Sequence, residues 1–171
     1  MPSNPRALHI TFGAYGMRLH GDPRGTVIRS LNHPTDPILG RDEDWQREEL
    51  DRLRFDPVTL TDPQRAVAEQ LLPSICDKTR CTCHISAARP DHVHILLTPA
   101  QCVDELSPAL SEHDAKTIRR LIKRRLSVGL SQRWPLPPGA SWWAECGSIK
   151  WVWDSQYFTN VQNYIKRQRL T

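Results

Sequence analysis

Asp91-His92-Val93-His94-Ile95-Leu96-Leu97 is the stretch on which the fold turns. Val93, Ile95 and Leu97 alternate with His92, His94 and Leu96, the period of a strand whose two faces meet different surroundings. One face is apolar. The other carries imidazoles at i and i+2, close enough to grip one metal ion. A strand with an ordinary watered face can show the same pattern, so its meaning depends on the flanking segments.

Just upstream, Arg80 to Ala88 sets Cys81, Cys83, Ile85 and Ala87 against Thr82, His84 and Ser86. Arg89-Pro90-Asp91 then turns this strand into the histidine strand, giving an antiparallel hairpin. Leu8-His9-Ile10-Thr11-Phe12 alternates in the same way and leaves through Gly13-Ala14-Tyr15-Gly16. A helix opens with Asp62 as N-cap and Pro63 at its first position, and Val67, Leu71 and Ile75 form its apolar stripe. Downstream, Asp114 to Leu130 reads as a helix with Ile118, Leu121, Ile122 and Leu126 turned inward. Lys116, Arg119, Arg120, Lys123, Arg124 and Arg125 crowd its remaining surface. A second hairpin is expected from Ser141 to Cys146 and Ile149 to Trp153, about a Gly147-Ser148 turn. A last helix, capped by Asp154 or Ser155, runs from about Gln156 to Arg169.

The order β-α-β-β-α-β with a terminal helix predicts an α+β, ferredoxin-like fold: one antiparallel sheet with two helices on a single face. Leu8, Ile10, Phe12, Cys83, Ile85, Val93, Ile95 and Leu97 should lie under those helices, with Val67, Leu71, Ile118, Leu121 and Ile122. The opposite face collects His9, Thr11, Thr82, His84, Ser86, His92 and His94, a set that is either watered or a site. Phe158, Val161 and Ile165 can dock the last helix across it. Tyr164 and Gln168, one turn apart, then arrive on the same side.

The 171 residues suit a single domain, 1–171, with a long irregular insertion at about 16–61 in which only Trp45 to Phe55 has helical content. The composition, 39% hydrophobic and 25% charged, is that of an ordinary globular chain. The net charge of +4 matters because the excess gathers between Lys116 and Arg125, where no acid balances it; such a face is either solvated or, beside a nuclease-like site, a phosphate-binding one. No apolar run reaches membrane-spanning length, and no apolar signal segment follows Met1. Five cysteines, an odd number, fit a reducing cytoplasm better than a secreted disulfide framework. Cys76, Cys81, Cys83 and His84 lack the spacing of a zinc site, and the cysteines read as core. Of Trp142, Trp143, Trp151 and Trp153, some belong to the core and one or two are free to stack on unpaired bases.

His92-Val93-His94 followed by Tyr164 and Gln168 on a final helix resembles the single-tyrosine HUH endonucleases, the transposases of insertion sequences. The pattern is similar to that of the repeat-associated tyrosine transposase branch. Ile10-Thr11-Phe12, Tyr15-Gly16, Leu19 to Gly25, Trp143-Ala144-Glu145 and Gly147 to Trp151 extend it, in order, along nearly the whole chain. The resemblance implies that Tyr164 attacks a DNA phosphate, giving a 5′-phosphotyrosine and a free 3′-OH. It implies Mg²⁺ or Mn²⁺ held by His92, His94 and Gln168. Single-stranded or hairpin DNA would be the partner, contacted by Lys116, Arg119, Arg120, Lys123 and Arg124, in a bacterial cytoplasm. Some family members form homodimers. His9 and His84 have no place in the motif and are expected to support the ligands or touch phosphate. Tyr15 and Tyr157 are rival nucleophiles. The alternative is a domesticated, catalytically silent protein that only binds hairpin DNA. The 16–61 segment departs from the smallest members.

Overall fold

The computed structural model describes residues 4–20, 22, 40–103 and 107–169. Within them run β1 (Ala7–Gly13), α1 (Glu43–Asp51), α2 (Asp62–Lys78), β2 (Cys81–Ala88), β3 (His92–Pro99), α3 (Glu112–Ser131), β4 (Ser148–Val152) and α4 (Ser155–Arg169). A short 3-10 turn, Ala100–Cys102, follows β3. The four strands form one antiparallel sheet in the order β2-β3-β1-β4, which is the ferredoxin-like order.

The alternation in β1 and β3 sorts the two faces as expected. Leu8, Ile10, Phe12, Val93, Ile95 and Leu97 are buried with Ala68, Leu72, Ile75 and Cys76 of α2 and Ala115, Ile122, Leu126 and Leu130 of α3. Val67, Leu71, Cys83 and Ile118 pack half-buried against this core. Leu121, expected inside, is instead half-buried in the groove between α2 and α3. On the other face Ala7, Leu96 and Val152 meet Val161 and Ile165 of α4.

Ile85 does not lie under the two helices. A bulge between Cys83 and Ile85 shifts the register, so that Cys83 opposes Leu97 while Ile85 opposes Leu96. The extra residue reverses the faces beyond it. Ile85 and Ala87 join the α4 cluster, and Ala88 joins the α2–α3 core. Ser86, expected on the imidazole face, is buried and pairs with Ile95 on the core side.

The second hairpin does not form either. Residues 141–147 run back along the end of β1, where Tyr15 N donates to Trp142 O (2.9 Å) and Ala144 N to Gly13 O (3.0 Å). Two buried indoles decide this course. Trp143 meets Phe12 edge-on at 5.0 Å, and Trp142 Nε1 donates to Ser131 Oγ at 2.9 Å. Burying both rings outweighs the local alternation.

Helix starts move by a residue or two. Thr61, not Asp62, caps α2, and Gln64 Oε1 accepts from its backbone N–H at 2.9 Å. Ser111 and Asp114 cap α3 reciprocally, and Asp154 Oδ1 receives Tyr157 N at 2.7 Å to start α4. The described parts of the 16–61 insertion are tied to the domain: Val58 N donates to Tyr15 O, and Leu60 is buried in the core. Its helix α1 begins earlier than Trp45, capped by Asp42.

Gly147, at φ +155, is where the chain enters β4 against β1. A Cβ there would meet Thr11 O at 2.5 Å and the Phe12 Cβ at 3.0 Å. Gly147→Ala is therefore expected to cost about 2–4 kcal/mol in a denaturant melt, from backbone strain and overpacking together. A cost near zero would show that β4 can shift away.

Candidate active site

The antiparallel register sets Thr11 of β1 opposite His94 of β3, and Gly13 opposite His92. Thr11 Oγ1 consequently lies 2.9 Å from His94 Nδ1, and His9 Nε2 lies 3.2 Å from the same nitrogen. At the turn before β3, Asp91 Oδ1 lies 2.5 Å from His92 Nδ1. The outward nitrogens converge: His92 Nε2 and His94 Nε2 are 2.9 Å apart.

That separation suits a divalent ion. Two neighbouring corners of an octahedron, each about 2.1 Å from its centre, are roughly 3 Å apart. Among the described residues no three His, Cys, Asp or Glu side chains converge as ligands, so a further donor must be of another kind, such as an amide oxygen or water. His94 is 5% and His9 8% exposed. Burial pushes the His94 imidazole down to about 3, helped by His92 and His9 beside it. Burial, with Lys150 nearby, pushes His9 down to about 4. Burial also lowers His92, against the pull of Asp91. At neutral pH these rings are uncharged, the form in which imidazole donates a lone pair to a metal.

Tyr164 comes to the same place. Its ring centroid is 5.2 Å from that of His94 and 6.2 Å from that of His9, both near edge-on, and the residue is 39% exposed. Gln168 lies half-buried one turn on. Its backbone carbonyl accepts from Arg89 Nη1 at 3.3 Å, pinning the end of α4 beside the turn into β3. The rivals are placed otherwise: Tyr157 packs half-buried in the α4 cluster, and Tyr15 is held in the main chain between Trp142 and Val58.

His84 does not join the group. Its Nε2 pairs with Thr98 Oγ1 at 2.8 Å, and its ring rests edge-on against Phe158 at 4.9 Å, near the start of α4 rather than beside Tyr164. Sequence reasoning missed Asp91 as a partner of His92 and Thr11 as a partner of His94. It also missed the cations around the group: Arg18 acts on His92 and His94, Arg89 on His92, and Lys150 on His9. An Asp abutting a metal-type histidine is a readable signal. Arg18 and Arg89, in loops without period, give none.

The basic helix α3 packs on the face of the sheet away from the imidazoles. Glu112 at its start pairs with Lys116 at 2.5 Å, so the helix is not free of balancing acid. Arg119 donates to Gly147 O. Lys123 Nζ donates to Ala144 O, Glu145 O and Cys146 O at 2.5, 3.0 and 3.3 Å, so this side chain organises a loop. Exposed Arg120 and Arg124 have no side-chain partner among the described residues. Trp153 is 54% exposed and stacks on Trp151 at 6.0 Å and 13°. Cys76 and Cys81 are buried, as expected of core. Among the described residues no helix is long and apolar enough to cross a membrane.

No family model matches the sequence, and no curated protein matches it. Among solved structures, the chain aligns with that of a candidate transposase from Deinococcus radiodurans R1, at 14% identity and a TM-score of 0.46, over 97% of this chain and 92% of that one. At that level the likeness adds nothing to the architecture already read from the strand order.

Proposed function

We propose that this chain is a metal-dependent single-stranded DNA endonuclease and strand transferase, a transposase that cleaves beside hairpins through a 5′-phosphotyrosine. The observation that carries the reading is the Tyr164 ring set against His94, whose Nε2 converges with that of His92. Either feature alone has a bland explanation. A phenol, two neutral imidazoles and a rim of cations in one place do not.

His92 and His94, with the Gln168 side-chain amide as third donor, would hold Mg²⁺ or Mn²⁺. Such an ion supplies Lewis-acid withdrawal of charge from a phosphate, undiminished because these ligands are neutral. Arg18, Arg89 and Lys150 attract the backbone of a strand entering the site. Tyr164, exposed and aromatic, places a phenolic oxygen at the phosphate and displaces the 3′ oxygen. The phosphodiester energy is kept in the tyrosine ester, so a 3′-OH can reverse the step and rejoin strands without ATP. Incubation with labelled hairpins from DNA flanking the gene, with Mn²⁺, should yield an adduct that survives denaturing electrophoresis. Binding without an adduct on those hairpins would favour a protein that only binds them.

DNA contact by α3 falls to its unpaired members. Arg120→Ala and Arg124→Ala should each reduce the salt slope of binding by about 0.7–0.9, whatever the sequence. Lys123→Met should instead lower stability by about 1–3 kcal/mol in a denaturant melt, through its orphaned carbonyls. Unchanged slopes in both arginine variants would return α3 to a solvated surface. Because α3 and Tyr164 lie on opposite faces, DNA touching both must pass round a sheet edge.

A further inference from the structure

The 2.9 Å contact between His92 Nε2 and His94 Nε2 poses a question of proton placement. Two lone pairs do not sit at that distance unless a proton or a cation lies between them. A proton between the two Nε2 atoms belongs to one ring or the other, and the partners on the Nδ1 side decide which. Asp91 decides His92. A carboxylate only accepts, so at 2.5 Å it holds the proton on Nδ1 and leaves Nε2 a lone pair. Thr11 leaves His94 free to change. A hydroxyl both donates and accepts, so at 2.9 Å it can bond His94 Nδ1 with or without a proton there. His9 Nε2, 3.4 Å from Thr11 Oγ1, is placed to accept the hydroxyl hydrogen when Thr11 is itself the acceptor.

We propose that Asp91 and Thr11 are positioning residues of opposite kinds: Asp91 locks His92, while Thr11 lets His94 switch tautomer as a divalent cation binds. Without a cation, His94 Nε2–H donates to His92 Nε2 and latches the two ligands together. With one, His94 gives up that proton to solvent and regains one from solvent on Nδ1, from which it donates a hydrogen bond to Thr11 Oγ1, while the Thr11 hydroxyl donates to His9 Nε2, bare in this state. His94 has one proton before and after, so its charge is unchanged. The site is thereby held near its working geometry in both states. This inference rests on the metal-site part of the reading above and not on strand transfer.

The test uses the full chain with ¹⁵N-labelled histidine, whose long-range ¹H–¹⁵N spectra report the tautomer of each ring. Metal-free protein should show His92 protonated on Nδ1 and His94 on Nε2, and Mg²⁺ should move the His94 proton to Nδ1. By Mn²⁺ electron paramagnetic resonance, Asp91→Asn and Thr11→Val should each weaken binding by roughly 10- to 100-fold, with Thr11→Ser restoring it. His94 already protonated on Nδ1 without metal would overturn the switch. So would wild-type Mn²⁺ affinity in Thr11→Val, or a wild-type chain that binds no divalent ion. A tautomer switch in a protein that forms no DNA adduct would sink strand transfer and leave this inference standing.

Discussion

Tyr164→Phe protein is expected to form no covalent adduct with hairpin DNA while binding that DNA as the wild type does. The substitution keeps the ring beside His94 and His9 and removes only the phenolic oxygen. Nothing else changes at the sheet face, so lost adduct with retained affinity isolates the attacking atom from packing. His92→Ala or His94→Ala should abolish the adduct as well, since either removes one of the two converging nitrogens, and a chelator should mimic them. Loss should exceed a thousandfold for Tyr164→Phe, on the order of what removing a covalent nucleophile costs. An adduct at wild-type level would transfer the role to Tyr157 or Tyr15.

Ile165→Ala is the second large effect expected, and it tests how the nucleophile is carried. The described part of α4 buries only Val161 and Ile165, with Tyr157 and Phe158 beside them. Polar ties are few: Arg6 to Ser155 Oγ at 2.6 Å and Arg169 to Glu69 Oε2 at 3.3 Å are exposed contacts, and Arg89 Nη1 holds the Gln168 carbonyl at 3.3 Å at the helix end. Removing the Ile165 side chain, wholly buried, should weaken docking by about 2–4 kcal/mol. Amide exchange in α4 should then quicken on the order of 30- to 900-fold while β1 and β3 keep their protection. Leu126→Ala, in the α2–α3 core, should speed exchange across the whole sheet instead. Uniform quickening in Ile165→Ala would mean that α4 opens only with the rest.

The strand order and two core faces were legible because alternation in β1 and β3 is a strictly local consequence of pleat and burial. The tyrosine helix was legible for the same reason, through Phe158, Val161 and Ile165. Ile85 and Ser86 were not, because one inserted residue reverses the faces without leaving any mark on composition. The Ser141–Cys146 segment misled through its apolar content, which goes into the core as Trp142 and Trp143 and not into a strand. At the site, the histidines stood out by spacing. Thr11 acquired meaning only once the β1–β3 register put it across from His94. Lys123 looked like free charge because the carbonyls it binds lie 21 to 23 residues away in the chain.

The bulge in β2 also makes strand length a heritable quantity distinct from residue identity. Cys83 and Ile85 stand on opposite faces only because His84 is an extra count between partners on β3. A relative lacking that one residue would keep Ile85 and Ala87 against α4 and Ser86 turned inward, because their pairing with β3 runs unbroken from the turn at Arg89. Alignments of such chains carry a parity here: matching β2 residue for residue, without a gap at His84, exchanges inside for outside at every position on one side of it.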